Sequence, residues 1–396
     1  MDHEAQRRRL AEAMERRGDW PVGSPWVRRA VEAVPRDGFA PDRLWEWDGH
    51  RWVSVERGAD PERWGRVVYA GPDEAAVTQV SEGVPSSSLS CQAVVADMLD
   101  CLVLEPGRRV LELGTGTGWN AALLARRAGP GRVTSVEVDP GLAAAARERL
   151  GAAGVRVAVR VGDGVAGWAP GAPYDRVIAT YAVERVPWAW VAQTRPGGRI
   201  VTPWGHLGHV ALTVAPGGRS AVGRVQGLAR FMPARGTGRT PDFRQVRGDG
   251  PAEDERPLCR DPGPLRDDPH LRFALRVALP RLRITTGTDA DGVSAWLHDG
   301  TSWATLSALG PGRTVAHQGG PRRLADDLER AWDDWLAHGR PELYEYGMTV
   351  EPDRQYLWCR DPVTGPRWRT ADREAIGPRP PGVSPVRGQG RRASRG

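Results

Sequence analysis

Apolar residues recur along this chain with two periods, near 3.6 and near 2, and the changes between them mark its elements. Residues 4–17 set Leu10 and Met14 four apart among charges, which predicts a short amphipathic helix. A second helix is predicted from Ser24 as N-cap and Pro25 at its first position, through Trp26, Val27, Ala30, Val31 and Val34 to Pro35. Residues 44–66 read as a hairpin turning at Asp48-Gly49, flanked by Trp45, Trp47 and Trp52. A strand-like Val67–Ala70 leads into a strand over Ala76–Val80, then a polar loop over Ser81–Cys91, then a helix opening at Gln92.

Beyond Val110 the pattern changes to buried apolar strands alternating with helices. Strands are predicted at 110–113, 133–139, 155–161, 174–180 and 197–203, with helices opening near Trp119, over 140–150 and over 186–193. That alternation implies an α/β fold with a doubly wound, mainly parallel, Rossmann-like sheet. Residues 210–214 and 224–232 look like further strands. Residues 236–269 are rich in Arg, Asp, Pro and Gly and read as a linker. Past them, 271–279, 293–306 (a hairpin turning at Asp299-Gly300) and 354–360 look like strands. One helix over 321–338 buries Leu324, Leu328, Trp332 and Trp335. The expected organisation is an arm of helices and Trp-rich hairpin over 1–66, a parallel-sheet domain over 67–235 and that linker. A small α+β domain over 270–375 and a disordered Pro/Gly/Arg/Ser tail over 376–396 complete it.

The chemistry concentrates at Val110-Leu-Glu-Leu-Gly-Thr-Gly-Thr-Gly-Trp119. A buried strand runs into Gly114, Gly116 and Gly118, which let the backbone turn and approach a ligand closely, and then into a helix. A second strand, Val133–Asp139, ends in acid, completing the layout of a nucleotide-binding βαβ unit. Gly116-x-Gly118-x-x-Ala121 also satisfies a loose dinucleotide fingerprint, so a nicotinamide or purely structural reading stays open. Glu112 weighs against a pyrophosphate, which it would repel; the ammonium and sulfonium of S-adenosylmethionine (SAM) would attract it.

Composition adds exclusions. Among 396 residues no apolar run approaches the roughly 20 of a membrane span. The charged start, Met1–Leu10, has no apolar signal core behind it, so the expected location is the cytoplasm. The 55 basic residues are all arginine, spread along the chain among 49 acids for a net charge of +6. That dispersion reads as solvated surface, with no nucleic acid or membrane partner expected, and it would suit an acidic peptide. Cys91, Cys101, Cys259 and Cys359 form no Cys-x-x-Cys pair. His206 and His209 lie three apart with no matching acid or cysteine cluster evident in the sequence, so no metal is expected.

Four motifs in order give a family resemblance over residues 24–235. Val34-Pro-Arg-Asp-Gly-Phe-Ala-Pro41 is similar to the Val-Pro-Arg-x-x-Phe-x-Pro of protein-L-isoaspartate O-methyltransferases. Ser88-Leu-Ser-Cys-Gln-Ala-Val-Val-Ala96 is similar to their Thr-Ile-Ser-Gln-Pro-Tyr-x-Val-Ala. Leu111–Ala125 resembles their SAM loop, and Val186-Pro…Gln193…Gly197-Gly-Arg-Ile-Val-x-Pro203 their late signature. The resemblance implies SAM as cofactor and methylation of the side-branch carboxylate of isoaspartyl residues in peptide or protein substrates, the ester collapsing to a succinimide. It implies Ser90 as the catalytic residue, its hydroxyl donating to the substrate carboxylate. Ser88 and Leu89 flank it, and with Glu112, Gly114, Gly116, Gly118, Glu137, Asp163 and Gly164 they form the expected cofactor-binding set. Glu112, Gly114 and Gly116 would line the methionine end, Glu137 would accept from the ribose, and Asp163 and Gly164 would contact adenine.

The chain departs from the family where Gln-Pro-Tyr becomes Cys91-Gln92-Ala93, positions expected on the substrate side. With the extra C-terminal region, this resembles actinobacterial homologues that convert an aspartate of a ribosomally made precursor peptide to aspartimide or isoaspartate. A dedicated peptide modifier with a precursor partner is therefore the alternative to general repair. A peptide-binding protein using SAM structurally is a third reading, which Glu112, Glu137 and Asp163 argue against.

Overall fold

The computed structural model describes residues 3–205, 207–236 and 241–370. The N-terminal helices α1 (Glu4–Arg17) and α2 (Pro25–Ala33) bury Leu10 and Met14, and Trp26, Val27, Ala30 and Val31. Next come β1 (Arg43–Trp47), β2 (Trp52–Glu56), α3 (Pro61–Val68), β3 (Ala76–Ser81), β4 (Val84–Leu89) and α4 (Gln92–Cys101). The four strands form an antiparallel sheet in the order β2-β1-β3-β4. Two expectations fail here. Val67 and Val68 close a helix, because the Asp60 side chain caps its start, Pro61 fits its first turn and Trp64 needs a buried face. Most of the polar run Ser81–Cys91 is a strand, turned back by Glu82-Gly83 at positive φ. As an edge strand paired only with β3, it tolerates Pro85 and three serines that no apolar alternation could reveal.

The central sheet grows from β5 (Val110–Leu113), α5 (Trp119–Ala128), β6 (Val133–Glu137), α6 (Pro140–Ala152), β7 (Ala158–Val161), β8 (Tyr174–Ala179), α7 (Trp188–Ala192) and β9 (Thr194–Trp204). The order β7-β6-β5-β8-β9 is parallel throughout. Leu113 pairs with Val136 on one side and Ala179 on the other, so β5 is where the chain switches direction across the sheet. A crevice opens beyond the carboxyl ends of strands at such a switch, and ligands bind there. Antiparallel β10 (Gly208–Val214) and β11 (Ala221–Leu228) continue the sheet.

The rest of the chain returns to that sheet. After α8 (Phe243–Arg247), β12 (Asp254–Leu258), α9 (Gly263–Asp267) and α10 (Pro269–Ala278) come β13 (Arg283–Asp289), β14 (Gly292–His298), β15 (Trp303–Ala308) and β16 (Thr314–Gly319). These strands make a second antiparallel sheet, β12-β16-β15-β14-β13, packed on α11 (Leu324–Ala337). Then β17 (Tyr346–Val350), β18 (Gln355–Cys359) and β19 (Arg367–Arg369) extend the central sheet, β17 pairing with β11. The stretch read as a linker thus carries three elements. The run Leu271–Leu279, read as a strand, is helical because Pro269 and the Asp268 side chain start a helix there. The tail over 376–396 lies outside the described residues.

Two cores sandwich the central sheet. One joins Val27, Leu99, Leu124 and Leu150 beneath the N-terminal helices; the other joins Leu113, Val177 and Leu212 to Phe273, Leu328 and Trp335.

Candidate active site

At the switch point a hollow of about 270 Å³ is lined by the ends of β4, β5, β6 and β8 and by the segment Arg230–Arg235. The glycine loop forms its floor. Gly114 and Gly116 have φ of +95° and +53°, in the left-handed region. A Cβ at Gly114 would stand 2.5 Å from Thr180 Oγ1, so no other residue fits without displacing the facing strand end. Glu137 lies on the wall and is 5% exposed. Its Oε2 accepts from the Gly116 amide at 2.9 Å and its Oε1 from that of Asp139 at 3.1 Å. Across the hollow, Asp163 Oδ1 accepts from Val165 N at 2.9 Å, shaping the turn at Gly164, and the Gly164 carbonyl accepts from Trp190 Nε1 at 2.8 Å.

Ser88, Leu89 and Ser90 bring the end of the β3–β4 hairpin to the same hollow. Among the described residues the Ser90 hydroxyl has no hydrogen-bond partner, while its carbonyl accepts from Arg36 Nη1 at 3.0 Å. Arg36 belongs to the Val-Pro-Arg motif. It is 2% exposed, and its guanidinium carbon stands 5.0 Å from the centre of the Trp119 ring. Burial pushes its pKa down to about 10. A buried cation thus ties the first motif to the serine loop and to the glycine-loop helix.

The expected residues do not all share this surface. Glu112 is fully buried behind the loop, where its carboxylate accepts from Asn120 Nδ2 at 2.8 Å and from the Ser135 hydroxyl. Burial pushes its pKa up to about 7. It therefore braces the loop from beneath and does not lie on the surface of the hollow. Gly118 faces α6 rather than the hollow, and its φ of +91°, in the left-handed region at the start of α5, is what favours glycine there. Of the departures, Cys91 lines the hollow, whereas Gln92 points back to α1 and donates to Met14 Sδ at 2.8 Å.

Residues beyond the motifs complete the wall. Tyr181 follows β8 and packs edge-on against Trp190 at 6.2 Å. Its phenol is held well above its ordinary range by burial and by the charges of Asp163 and Glu137. Arg235 closes the rim, reaching Asp139 at 2.9 Å, Gln79 Oε1 at 2.6 Å and the Ser86 carbonyl at 3.1 Å. Neither announced itself in the sequence, since a tyrosine past a strand and one arginine among 55 basic residues carry no periodic signal.

Comparison with known proteins bears on the same segment. The sequence profile described as protein-L-isoaspartate(D-aspartate) O-methyltransferase matches residues 64–236. A protein-L-isoaspartate O-methyltransferase of Anaeromyxobacter dehalogenans is 44% identical over 167 residues, 40% of this chain and 78% of that protein. One from Ignicoccus hospitalis is 47% identical over 179 residues, 45% of this chain and 72% of that protein. A solved structure with the same name aligns with a TM-score of 0.52 at 21% identity, over 90% of this chain and all of that one, so the likeness in fold reaches well past residue 236. The glycine loop and the serine hairpin are parts of one matched segment, residues 64–236, and the chain that carries them belongs to the protein-L-isoaspartate(D-aspartate) O-methyltransferase family.

Proposed function

We propose that this protein is a SAM-dependent carboxyl methyltransferase acting on isoaspartyl residues of peptides and proteins. The observation that carries the proposal is the juxtaposition of Ser90, with its free hydroxyl, and the Gly114–Gly116 loop across one hollow. SAM, when bound, supplies an electrophilic sulfonium methyl. Its fit rests on the glycine cradle, where a Cβ at Gly114 or Gly164 would stand within 2.5 Å of Thr180 or Tyr181 side-chain oxygens. Gly114, Gly116, Glu137, Asp163 and Gly164 would hold it, with Glu112 bracing the loop.

The substrate side asks little acid–base work of the protein. A side-chain carboxylate with an ordinary pKa near ~4 is already ionised at neutral pH, so no residue has to remove a proton. The Ser90 hydroxyl donates to one carboxylate oxygen and leaves the other to attack. Catalysis is then mainly positioning and exclusion of water. Arg36, by holding the Ser90 carbonyl, sets where that hydroxyl stands.

The test is transfer of tritiated methyl from SAM to a synthetic isoaspartyl peptide and to its aspartyl counterpart. Turnover on the isoaspartyl form is expected; failure there, with turnover on an aspartyl precursor, would establish the dedicated modifier instead. Ser90→Ala should lower kcat/KM for the isoaspartyl peptide by roughly 10- to 100-fold, the scale of one hydrogen bond to a charged group, while SAM affinity stays within twofold. Equal loss of both would remove Ser90 from its assigned role.

A further inference from the structure

Away from the hollow, the fold assembles a second group of reactive side chains. Asp97 and Cys101 lie one turn apart on α4 and share a face. That face meets His209, which is fully buried near the start of β10. His209 pairs with Gly227 just before an irregularity in the β10–β11 register, a feature that re-aims side chains. Gly227 permits the close approach, since a Cβ there would stand 3.0 Å from both Asp97 Oδ2 and His209 Cε1. The sequence had offered only His206, outside the described residues, as a companion to His209; the fold brings the acid and the thiol from more than a hundred residues upstream.

The distances have a chemical meaning. His209 Nε2 is 3.2 Å from Asp97 Oδ2 and 3.8 Å from Cys101 Sγ, and Sγ is 3.9 Å from Asp97 Oδ1. Zinc bonds of roughly 2.3 Å to sulfur and roughly 2.0–2.1 Å to nitrogen or oxygen imply tetrahedral edges of roughly 3.6 Å for S–N and roughly 3.3 Å for N–O. The His209–Asp97 and Cys101–His209 separations stand close to those edges, and with one oxygen from Asp97 the three donor atoms all lie within 4.8 Å of one another. Gln226 Oε1, 3.7 Å from Sγ, is near enough to supply or neighbour a fourth position. His209 Nδ1 has no hydrogen-bond partner among the described residues, so the polar contacts of this buried ring all run into the cluster.

We propose that Asp97, Cys101 and His209 form a binding site for a tetrahedral divalent cation of the zinc type. A thiolate with an imidazole selects zinc over magnesium or calcium, and the Cys101 proton is released as the metal–sulfur bond forms. The Asp97 side chain is 47% exposed and gives the ion access. The metal would staple the far end of α4 to the β10–β11 hairpin. Val94, Val95 and Met98 of the same helix line the methyltransferase hollow, so the staple would steady that wall.

The test uses the full chain carrying Cys259→Ser, which removes the exposed thiol, stripped with EDTA and titrated with cobalt(II) and then zinc(II). Expected are saturable binding at one site, a thiolate-to-cobalt charge-transfer band with tetrahedral d–d bands, and their displacement by zinc. Cys101→Ser should abolish the charge-transfer band and weaken binding by upward of about 100-fold, more than the loss of an outer-shell partner brings. Asp97→Asn, at a partly exposed position, keeps the fold testable by circular dichroism and should weaken binding at least about 10-fold. Absence of saturable cobalt binding, or wild-type binding by folded Asp97→Asn, would overturn the proposal.

Discussion

The two halves of the central sheet were put together by different routes. In the parallel half, β7-β6-β5-β8-β9, neighbours follow one another in sequence across a helix or short connection except at β5–β8, where the chain returns to the other side of β5 and the hollow opens. In the antiparallel half, β17 joins β11 after more than a hundred intervening residues, which first build a second sheet and α10 and α11. Both halves nevertheless share one apolar core, running from Leu113 and Val177 through Phe273 to Trp335. Bonds across the junction reinforce it: Val186 N donates to Gln355 Oε1 at 3.0 Å, Arg276 pairs with Glu184, and Phe273 packs edge-on against Trp204 at 6.1 Å. The difference teaches that a region remote from the site in sequence can be part of the site's foundation.

That lesson is open to being broken. Trp335→Ala empties a buried indole and removes its bond to the Pro341 carbonyl, and should cost about 3–5 kcal/mol. In urea the intrinsic fluorescence and the loss of SAM binding should then shift together to lower denaturant. If only the C-terminal signal moves, the shared core is not one cooperative unit.

A change of comparable size is expected beneath the glycine loop. Burial raises the Glu112 pKa from its ordinary 4.5 to about 7, so the native state binds more protons than the unfolded one between those values. Stability from this group is therefore present below about pH 4.5 and lost as pH rises through about 7. Glu112→Gln should gain on the wild type across that window, by at most on the order of 3 kcal/mol. Urea midpoints for both proteins at pH 5 and pH 8 measure it; a pH-independent difference would mean that Asn120 and Ser135 fully support the charged form.

Smaller still, Gly114→Ala should strain the loop by about 1–3 kcal/mol, with the added Cβ pressing on Thr180. Because the strain sits at the hollow, calorimetric SAM affinity should fall while the melting of the C-terminal strands barely moves. An equal effect on both would erase the contrast between the two halves.

Much of the parallel half could be read directly. Strands β5, β6 and β8 are short apolar runs, and Gly114–Gly118 punctuate them where backbone geometry admits little else. Arg36 was visible as part of a motif but not as the support of Ser90, because that contact spans 54 residues. The strand β4 was illegible because its serines and Pro85 fit an edge, where one side needs no partner. The helix α10 was misread because Leu271–Leu279 alternates acceptably for a strand, and only Asp268 and Pro269 at its start decide otherwise.

By itself the sequence determined what local sterics and periodicity dictate: the βαβ core, its glycine turn, the acids at strand ends and a family likeness in order along the chain. Tertiary structure alone decided which of those acids face the hollow, that Glu112 and Gly118 turn away from it, and that β17 to β19 belong to the central sheet. It also brought Asp97, Cys101 and His209 together. The physical reason is common to all of these. Burial and strand pairing between distant segments depend on the free energy of the whole core, and no window of sequence contains that sum.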